Sequence, residues 1–249
     1  MTDRTQTRER IVAAADELLT ARGRDAVTTR AVSAAAGVQP PAIYRLFGDM
    51  SGLLEAVATE AFGRYLALKE AQPRTGDPVD DLRAGWDLHV RFGLENPARY
   101  RLMGEFLGPG SDLPAARASR DILRGLVDRV AEAGRLSVAV EQAVEMVLAT
   151  GLGVTLTLLD QPAERRNTAL SERTREAVIA AVTSDAAVTS DVAGPGDEPA
   201  GAREGAHRGD REPARRAVAL RAVLDESSAA FTPGERLLLE ELLDRLAHA

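Results

Sequence analysis

The sequence predicts an all-α protein with an N-terminal helix-turn-helix head and a larger helical domain behind it. Three observations carry that expectation. Residues 28–47, TTRAVSAAAGVQPPAIYRLF, read as two short helices hinged on one glycine. Elsewhere, apolar residues recur at three- and four-residue spacing rather than in strict alternation. The 249-residue chain is also 45% hydrophobic but only 4% aromatic. Its cores must therefore draw on Ala, Leu and Val, and strand-type patterning is scarce.

Each element of the head follows from its residues. Ile11, Ala15, Leu18 and Leu19 form an i, i+4, i+7, i+8 stripe on a first helix of about eighteen residues, which Gly23 closes. Thr28 or Thr29 caps the next helix, where Val32 and Ala36 lie one turn apart. Gly37 allows the chain to reverse with φ > 0, and Val38 plugs the corner. Pro40 and Pro41 mark the next start, with Pro41 the expected first helical residue, because a residue before proline avoids the helical region. Ile43 and Phe47 give this second helix a buried edge and leave its outer face free, an arrangement that fits the DNA major groove. Asp49 caps a fourth helix bearing Leu53, Leu54, Val57, Ala61 and Tyr65.

With these helices in place, residues 8–62 resemble the N-terminal domain of TetR-family transcriptional regulators. The family pattern is apolar-small-x-x-small-Gly-apolar, four residues, then apolar-Tyr-x-His/Tyr-Phe. Here it reads Val32, Ser33, Ala34, Ala35, Ala36, Gly37, Val38, then Ile43, Tyr44, Arg45, Leu46, Phe47. Ser33 stands for the usual alanine and is still small. Leu46 replaces the usual His or Tyr, and Met50 the usual lysine. The resemblance implies that those two positions commonly touch phosphates, so part of the sequence-independent affinity is removed. The candidate DNA-reading residues are Thr28, Thr29, Arg30, Gln39, Pro40, Ala42, Tyr44 and Arg45. The family's matching tyrosine places its hydroxyl on the DNA backbone, which implies the same for Tyr44.

Residues 1–70 are expected to form the head and residues 79–184 a helical effector-binding and dimerisation domain. The segment 86–106 holds the densest aromatic set of the chain. Trp86, His89 and Gly93 share a helix face, and Pro97 opens the next helix with Asn96 as cap. This stretch is similar to the regulatory domain of actinobacterial TetR-type proteins. It makes Trp86, His89, Phe92, Tyr100, Met103 and Phe106 the candidate effector contacts, against the plainer alternative of core packing. Residues 138–160 predict a helix apolar around much of its girth. In TetR-type proteins the helix in this place builds the dimer, which implies an interface of Val144, Val147, Leu148, Gly151, Leu152 and Leu159. Residues 185–216 lack Leu, Ile, Phe, Tyr and Trp and are expected to be a disordered linker. Residues 217–249 then form a terminal helical hairpin, with Thr232, Pro233 and Glu235 as its cap.

Composition bounds the function. Net charge is −7, but residues 1–70 carry nine basic and nine acidic residues, so the whole excess lies beyond the head. Screening confines its repulsion of DNA to about one Debye length, ~8 Å. Thirty of the 31 basic residues are arginine. Cysteine is absent, and His89, His207 and His248 have no metal-ligand spacing, so neither metal nor cofactor is expected. Nothing at the N-terminus resembles a signal peptide, and the uncharged stretch from Met146 to Leu159 is too short to span a bilayer. A cytoplasmic protein is expected.

The function that follows is a transcriptional regulator that binds a palindromic operator as a homodimer and is released by a small, largely apolar effector. One alternative is a helical dimer acting through protein partners. A second is a helix-turn-helix DNA-processing enzyme, against which no catalytic residues assemble: the tyrosines are Tyr44, Tyr65 and Tyr100, and no Asp/Glu/His cluster has ligand spacing.

Overall fold

The structure, a computed structural model, describes residues 3–107, 113–184, 212–224 and 231–247. Eleven α-helices form among them: α1 (Asp3–Arg22), α2 (Thr29–Ala36), α3 (Pro40–Phe47), α4 (Met50–Glu70), α5 (Pro78–Glu95), α6 (Pro97–Gly104), α7 (Pro114–Glu132), α8 (Val140–Leu159), α9 (Ala169–Val182), α10 (Glu212–Val223) and α11 (Pro233–Ala247). Outside the helices, an isolated antiparallel bridge joins Leu136 and Thr183. The all-α expectation is met.

Several boundaries move. The third helix begins at Pro40 rather than Pro41, because Gln39, not Pro40, takes the extended conformation (φ −81°, ψ 145°) that a residue before proline prefers. Helix α10 begins at Glu212, five residues inside the stretch read as linker. Ala and Arg are strong helix formers there, and Pro213 sits where a missing N–H costs nothing. The rest of that expected linker, 185–211, lies outside the described residues. Helix α8 runs for 20 residues, within the 138–160 expected. By length and composition alone (mean hydropathy 1.5) it is long and apolar enough to cross a bilayer, which corrects the expectation drawn from its uncharged part. Glu141 and Glu145 had cut that count short. Some 44% of the helix is buried inside the fold.

The described chain divides into two compact units that do not follow the sequence order. The first holds residues 1–73, 85–122 and 151–171. Helices α1 to α4 pack here around Ile11, Val12, Leu19, Val32, Ile43, Leu53 and Val57, and the same core continues through Phe62 and Tyr65 to Phe92, Tyr100, Leu102 and Met103. The core of the head thus continues into α6. A partly buried ion pair reinforces the join. Arg99 of α6 grips Asp16 of α1 with two bonds of 2.7 Å, Nε to Oδ1 and Nη2 to Oδ2. Such planar two-point geometry suits guanidinium and carboxylate.

The second unit holds residues 74–84, 123–150 and 172–249. Val79, Leu82, Val127, Val130, Val144, Ile179 and Val182 are buried in it. Asp77 accepts from the Val79 amide at 2.7 Å and pairs with Arg135 at 2.7 Å. That guanidinium bond, with the bonds from the Val79 and Asp80 amides, holds its carboxyl below the usual range. Arg129 pairs with the buried Asp81. In the terminal hairpin Thr232 and Glu235 form the expected reciprocal cap: the Thr232 amide donates to Glu235 at 2.8 Å and the Glu235 amide to Thr232 at 3.3 Å.

Candidate nucleic-acid interface and the polar cluster beneath it

The reading unit is built by local signals. Thr28 is the cap of α2, its hydroxyl accepting from the Ala31 amide at 3.2 Å. Gly37 ends α2 in the left-handed conformation (φ 62°, ψ 39°), and the Val38 amide closes back onto the Ser33 carbonyl at 3.0 Å. This closure needs a residue without a Cβ penalty. Arg10 of α1 donates to the Ala36 carbonyl at 3.2 Å, so the last turn of α2 is held from behind. The Arg8 guanidinium lies 5.2 Å from the Phe47 ring and braces the end of α3. Asp49 caps α4 through the Gly52 amide at 2.8 Å.

The residues expected to meet DNA lie at the start of α2 and along α3, with Gln39 and Pro40 at its N-terminus and Tyr44 and Arg45 in its second half. Thr28, Arg30, Gln39, Pro40, Tyr44 and Arg45 are exposed, with Thr29 and Ala42 half-buried. The Tyr44 hydroxyl lies 3.3 Å from the Thr29 hydroxyl, which ties the recognition helix to the start of α2. Arg30 and Arg45 pair with no carboxylate among the described residues. Two guanidiniums, Arg30 at the N-terminus of α2 and Arg45 in the last turn of α3, make a surface for phosphate. Leu46 and Met50, by contrast, pack half-buried against the core. Those two substitutions therefore turn apolar side chains inward.

The expected effector residues divide. His89 is mostly enclosed and bridges two tyrosines: the Tyr65 hydroxyl lies 3.0 Å from its Nδ1 and the Tyr100 hydroxyl 2.7 Å from its Nε2. Burial, helped by the nearby Lys69 charge, pushes its pKa down to about 3. A neutral imidazole has one donor and one acceptor, so one tyrosine donates to the ring and the other accepts from it. Burial pushes both phenols up, keeping them protonated. Phe92 packs on Tyr65, with ring centres 5.1 Å apart. Trp86 donates from its indole to the Ser171 hydroxyl at 3.0 Å. Met103 is buried and Phe106 half-buried in the core shared with the head.

Two features of this cluster have no local signature in sequence. Tyr65 reads as one more position of the α4 stripe, yet it completes the histidine bridge from 24 residues away. Lys69, the sole lysine of the chain, donates to the Gly85 carbonyl and sits 5.3 Å from the Tyr65 ring. Loss of water pulls its pKa down to about 8. The singular lysine was the one compositional hint.

A cleft of about 310 Å³ lies between the end of α1 and α6, away from the aromatics. Leu19, Thr20, Gly23 and Arg24 line one wall, and Pro97, Ala98, Arg101, Leu102 and Glu105 the other. A second cleft of about 300 Å³ lies in the other unit, with Arg124, Asp128, Glu141 and Arg221 among its walls. None of the six candidate effector residues lines either one.

Of the six residues expected at a dimer interface, Val144, Val147, Gly151 and Leu159 are buried inside the protomer. Gly151 is covered by His89 and Trp86, each 3.6 Å from where a Cβ would stand. Leu148 and Leu152 are half-exposed. The outward side of α8 instead exposes Glu145, Ala149, Gly153 and Thr157 at four-residue spacing.

A rigid helix pair that holds out a basic, partly aromatic helix face defines a helix-turn-helix DNA-binding protein. Residues 11–57 match the model of the tetR family of bacterial regulatory proteins, so this segment is a TetR-type N-terminal domain. Solved structures share the fold beyond the head. A tetR-family transcription regulator of Shewanella sp. PV-4 superposes with a TM-score of 0.57 at 17% identity, covering 72% of this chain and 98% of its own. A tetR-family regulatory protein of Rhodococcus RHA1 gives 0.55 at 23% identity, over 71% and 97%. RolR, solved in complex with resorcinol, gives 0.56 at 24% identity, over 72% and 88%. No curated protein sequence matches the chain at a comparable level.

Proposed function

We propose that this protein is a one-component transcriptional regulator, most simply a repressor, that binds a palindromic operator as a homodimer in the cytoplasm and is released by a small, largely apolar effector. The observation that carries this reading is the exposed set Arg30, Gln39, Tyr44 and Arg45 on the α2–Gly37–α3 unit, inside the segment that matches the family. Electrophoretic mobility shift with DNA flanking the protein's own gene tests it. A specific shift whose affinity falls steeply with salt is expected, and no preference over random DNA would leave the chain a helical dimer acting through protein partners.

The effector is proposed to act on the Tyr65–His89–Tyr100 cluster, which supplies polar contacts inside an apolar core. RolR was solved with resorcinol, a molecule of this kind. A coupling of ~1–3 kcal/mol suffices to change operator affinity five- to 150-fold. For the dimer, the outward side of α8 supports the reading: small residues at 149 and 153 allow close backbone approach, with Leu152 and Leu156 flanking. An enzymatic role finds no support, because the phenols at 65 and 100 are occupied by His89 and Tyr44 lies on the recognition helix.

A further inference from the structure

Helices α10 and α11 form a terminal hairpin that the helix-turn-helix head does not account for. The Shewanella and Rhodococcus structures are matched over 97–98% of their own length but over only 71–72% of this chain. More than a quarter of the protein is therefore additional to the shared fold. The hairpin has its own packing. Ala217, Val218, Leu224 and Leu243 are buried, and Arg221 of α10 pairs with Asp244 of α11.

Half of the apolar side of α11 is nonetheless uncovered. Leu238, Leu242 and Leu246, one turn apart, are 57%, 47% and 46% exposed, and Leu237 on the far flank is 69% exposed. A leucine ladder at this spacing is a strong association signal. The chain itself has nothing left to cover it. The residues outside the described set, apart from Met1, contain no Leu, Ile, Met or aromatic, and Val188 and Val192 are their largest apolar side chains. The cover must come from another molecule.

The flanking charges select its kind. Helix α11 carries Glu235, Glu240, Glu241 and Asp244 against Arg236 and Arg245, an acidic balance that disfavours nucleic acid and anionic lipid alike. The charges are also self-complementary. Glu241 and Arg245 lie on the same edge of the leucine ladder, already paired along the helix. When two such helices run antiparallel about a two-fold axis near Leu242, Leu238 meets Leu246 of the partner subunit and Leu242 meets the partner's Leu242. The same axis sets Glu241 against the partner's Arg245, and Arg245 against the partner's Glu241. An isologous interface requires this kind of self-match, and edge charges of this type fix partner and direction.

We infer that the leucine face of α11 is a second self-association surface, which pairs antiparallel with α11 of another copy of this chain. It is separate from the outward side of α8 and does not depend on DNA binding.

The absence of cysteine makes the test direct. In the full-length protein, Leu242→Cys puts a single thiol at the proposed axis, and mild oxidation should link most of the chains into disulfide dimers at micromolar concentration. Leu237→Cys, more exposed but off the ladder, should link far less. Glu241→Arg should weaken association by about tenfold in analytical ultracentrifugation, since it opposes like charges in both symmetry-related pairs, and adding Arg245→Glu should restore it. All of these are surface changes, so circular dichroism should be unaltered. The inference is overturned if Leu242→Cys stays monomeric on oxidation, if Leu237→Cys links equally well, or if the charge swap fails to restore association. To separate this surface from α8, the Leu242→Cys linkage is repeated with Gly153→Arg in the same chain. Linkage lost in that background would assign the contact to the α8 dimer and overturn an independent hairpin surface.

Discussion

At the residue scale, Tyr44 and His89 show how one aromatic can serve on the surface and another ring in the interior. Tyr44 is half-exposed, with its hydroxyl shared between Thr29 and whatever lies in front of it. Tyr44→Phe should weaken operator binding by about 1 kcal/mol, roughly fivefold, without lowering the melting temperature, the size of one net hydrogen bond. A fluorescence-anisotropy titration beside a thermal melt checks this, and unchanged affinity would remove Tyr44 from the interface. His89 predicts a pH dependence. Its pKa is near 3 when folded against 6.5 as a model histidine, so between those values the unfolded chain binds more protons. Stability should therefore fall as pH drops below about 6.5, by roughly 2 kcal/mol at pH 5 from this group. His89→Gln keeps a donor and an acceptor but cannot titrate. The melting temperatures of the two proteins should converge as pH falls from 7 to 5, and parallel curves would mean that His89 is not enclosed as described.

Among elements, α5, α6 and the end of α8 are held at close range by a glycine. A Cβ at Gly93 would stand 2.4 Å from the Thr155 Cγ2 and 3.1 Å from the Tyr100 ring. Gly93→Ala should therefore overpack this crossing and cost about 1–3 kcal/mol. Thr155→Ser removes the offending methyl while keeping the hydroxyl bond to the Gly151 carbonyl, 2.8 Å in the parent. Chemical denaturation of the double variant should recover a good part of the loss, whereas simple additivity of the two changes would place the strain elsewhere. The neighbouring residues Arg99 and Tyr100 explain why this crossing matters. One grips α1 through Asp16 and the other grips His89, so an eight-residue helix connects the head to the buried cluster.

For the whole molecule, the outward side of α8 carries the proposed operator-binding dimer. Gly153 is the position to test. It is exposed, and no atom lies within 4 Å of where its Cβ would be. Gly153→Arg should leave the protomer folded, as judged by circular dichroism, yet block backbone approach in the dimer. Loss of the α8 contact in sedimentation and a collapse of operator affinity are expected. Retention of full operator affinity in this variant would place the dimer on another surface. Leu152→Arg reads less cleanly, because Leu152 also packs against the protomer core and burying its charge would destabilise the fold itself.

The sequence by itself determined the local structure of the head: the Thr28 and Asp49 caps, the left-handed Gly37 corner, the buried edge of Ile43, and the exposed residues on α3. Each rests on neighbours within one or two turns, where spacing and capping chemistry are legible. It also determined the apolar girth of α8 and the capping box at Thr232. Tertiary structure alone decided which apolar face points inward. Val144 and Val147 look equivalent to Leu148 and Leu152 on a helix apolar all round, and only packing separates them. Tertiary structure also decided that Tyr65, His89, Tyr100 and Thr155 meet, although they come from α4, α5, α6 and α8. The physical reason is range. Caps and turns are settled by bonds between adjacent residues, whereas a buried hydrogen-bond chain exists only once four distant helices have excluded water from the same place.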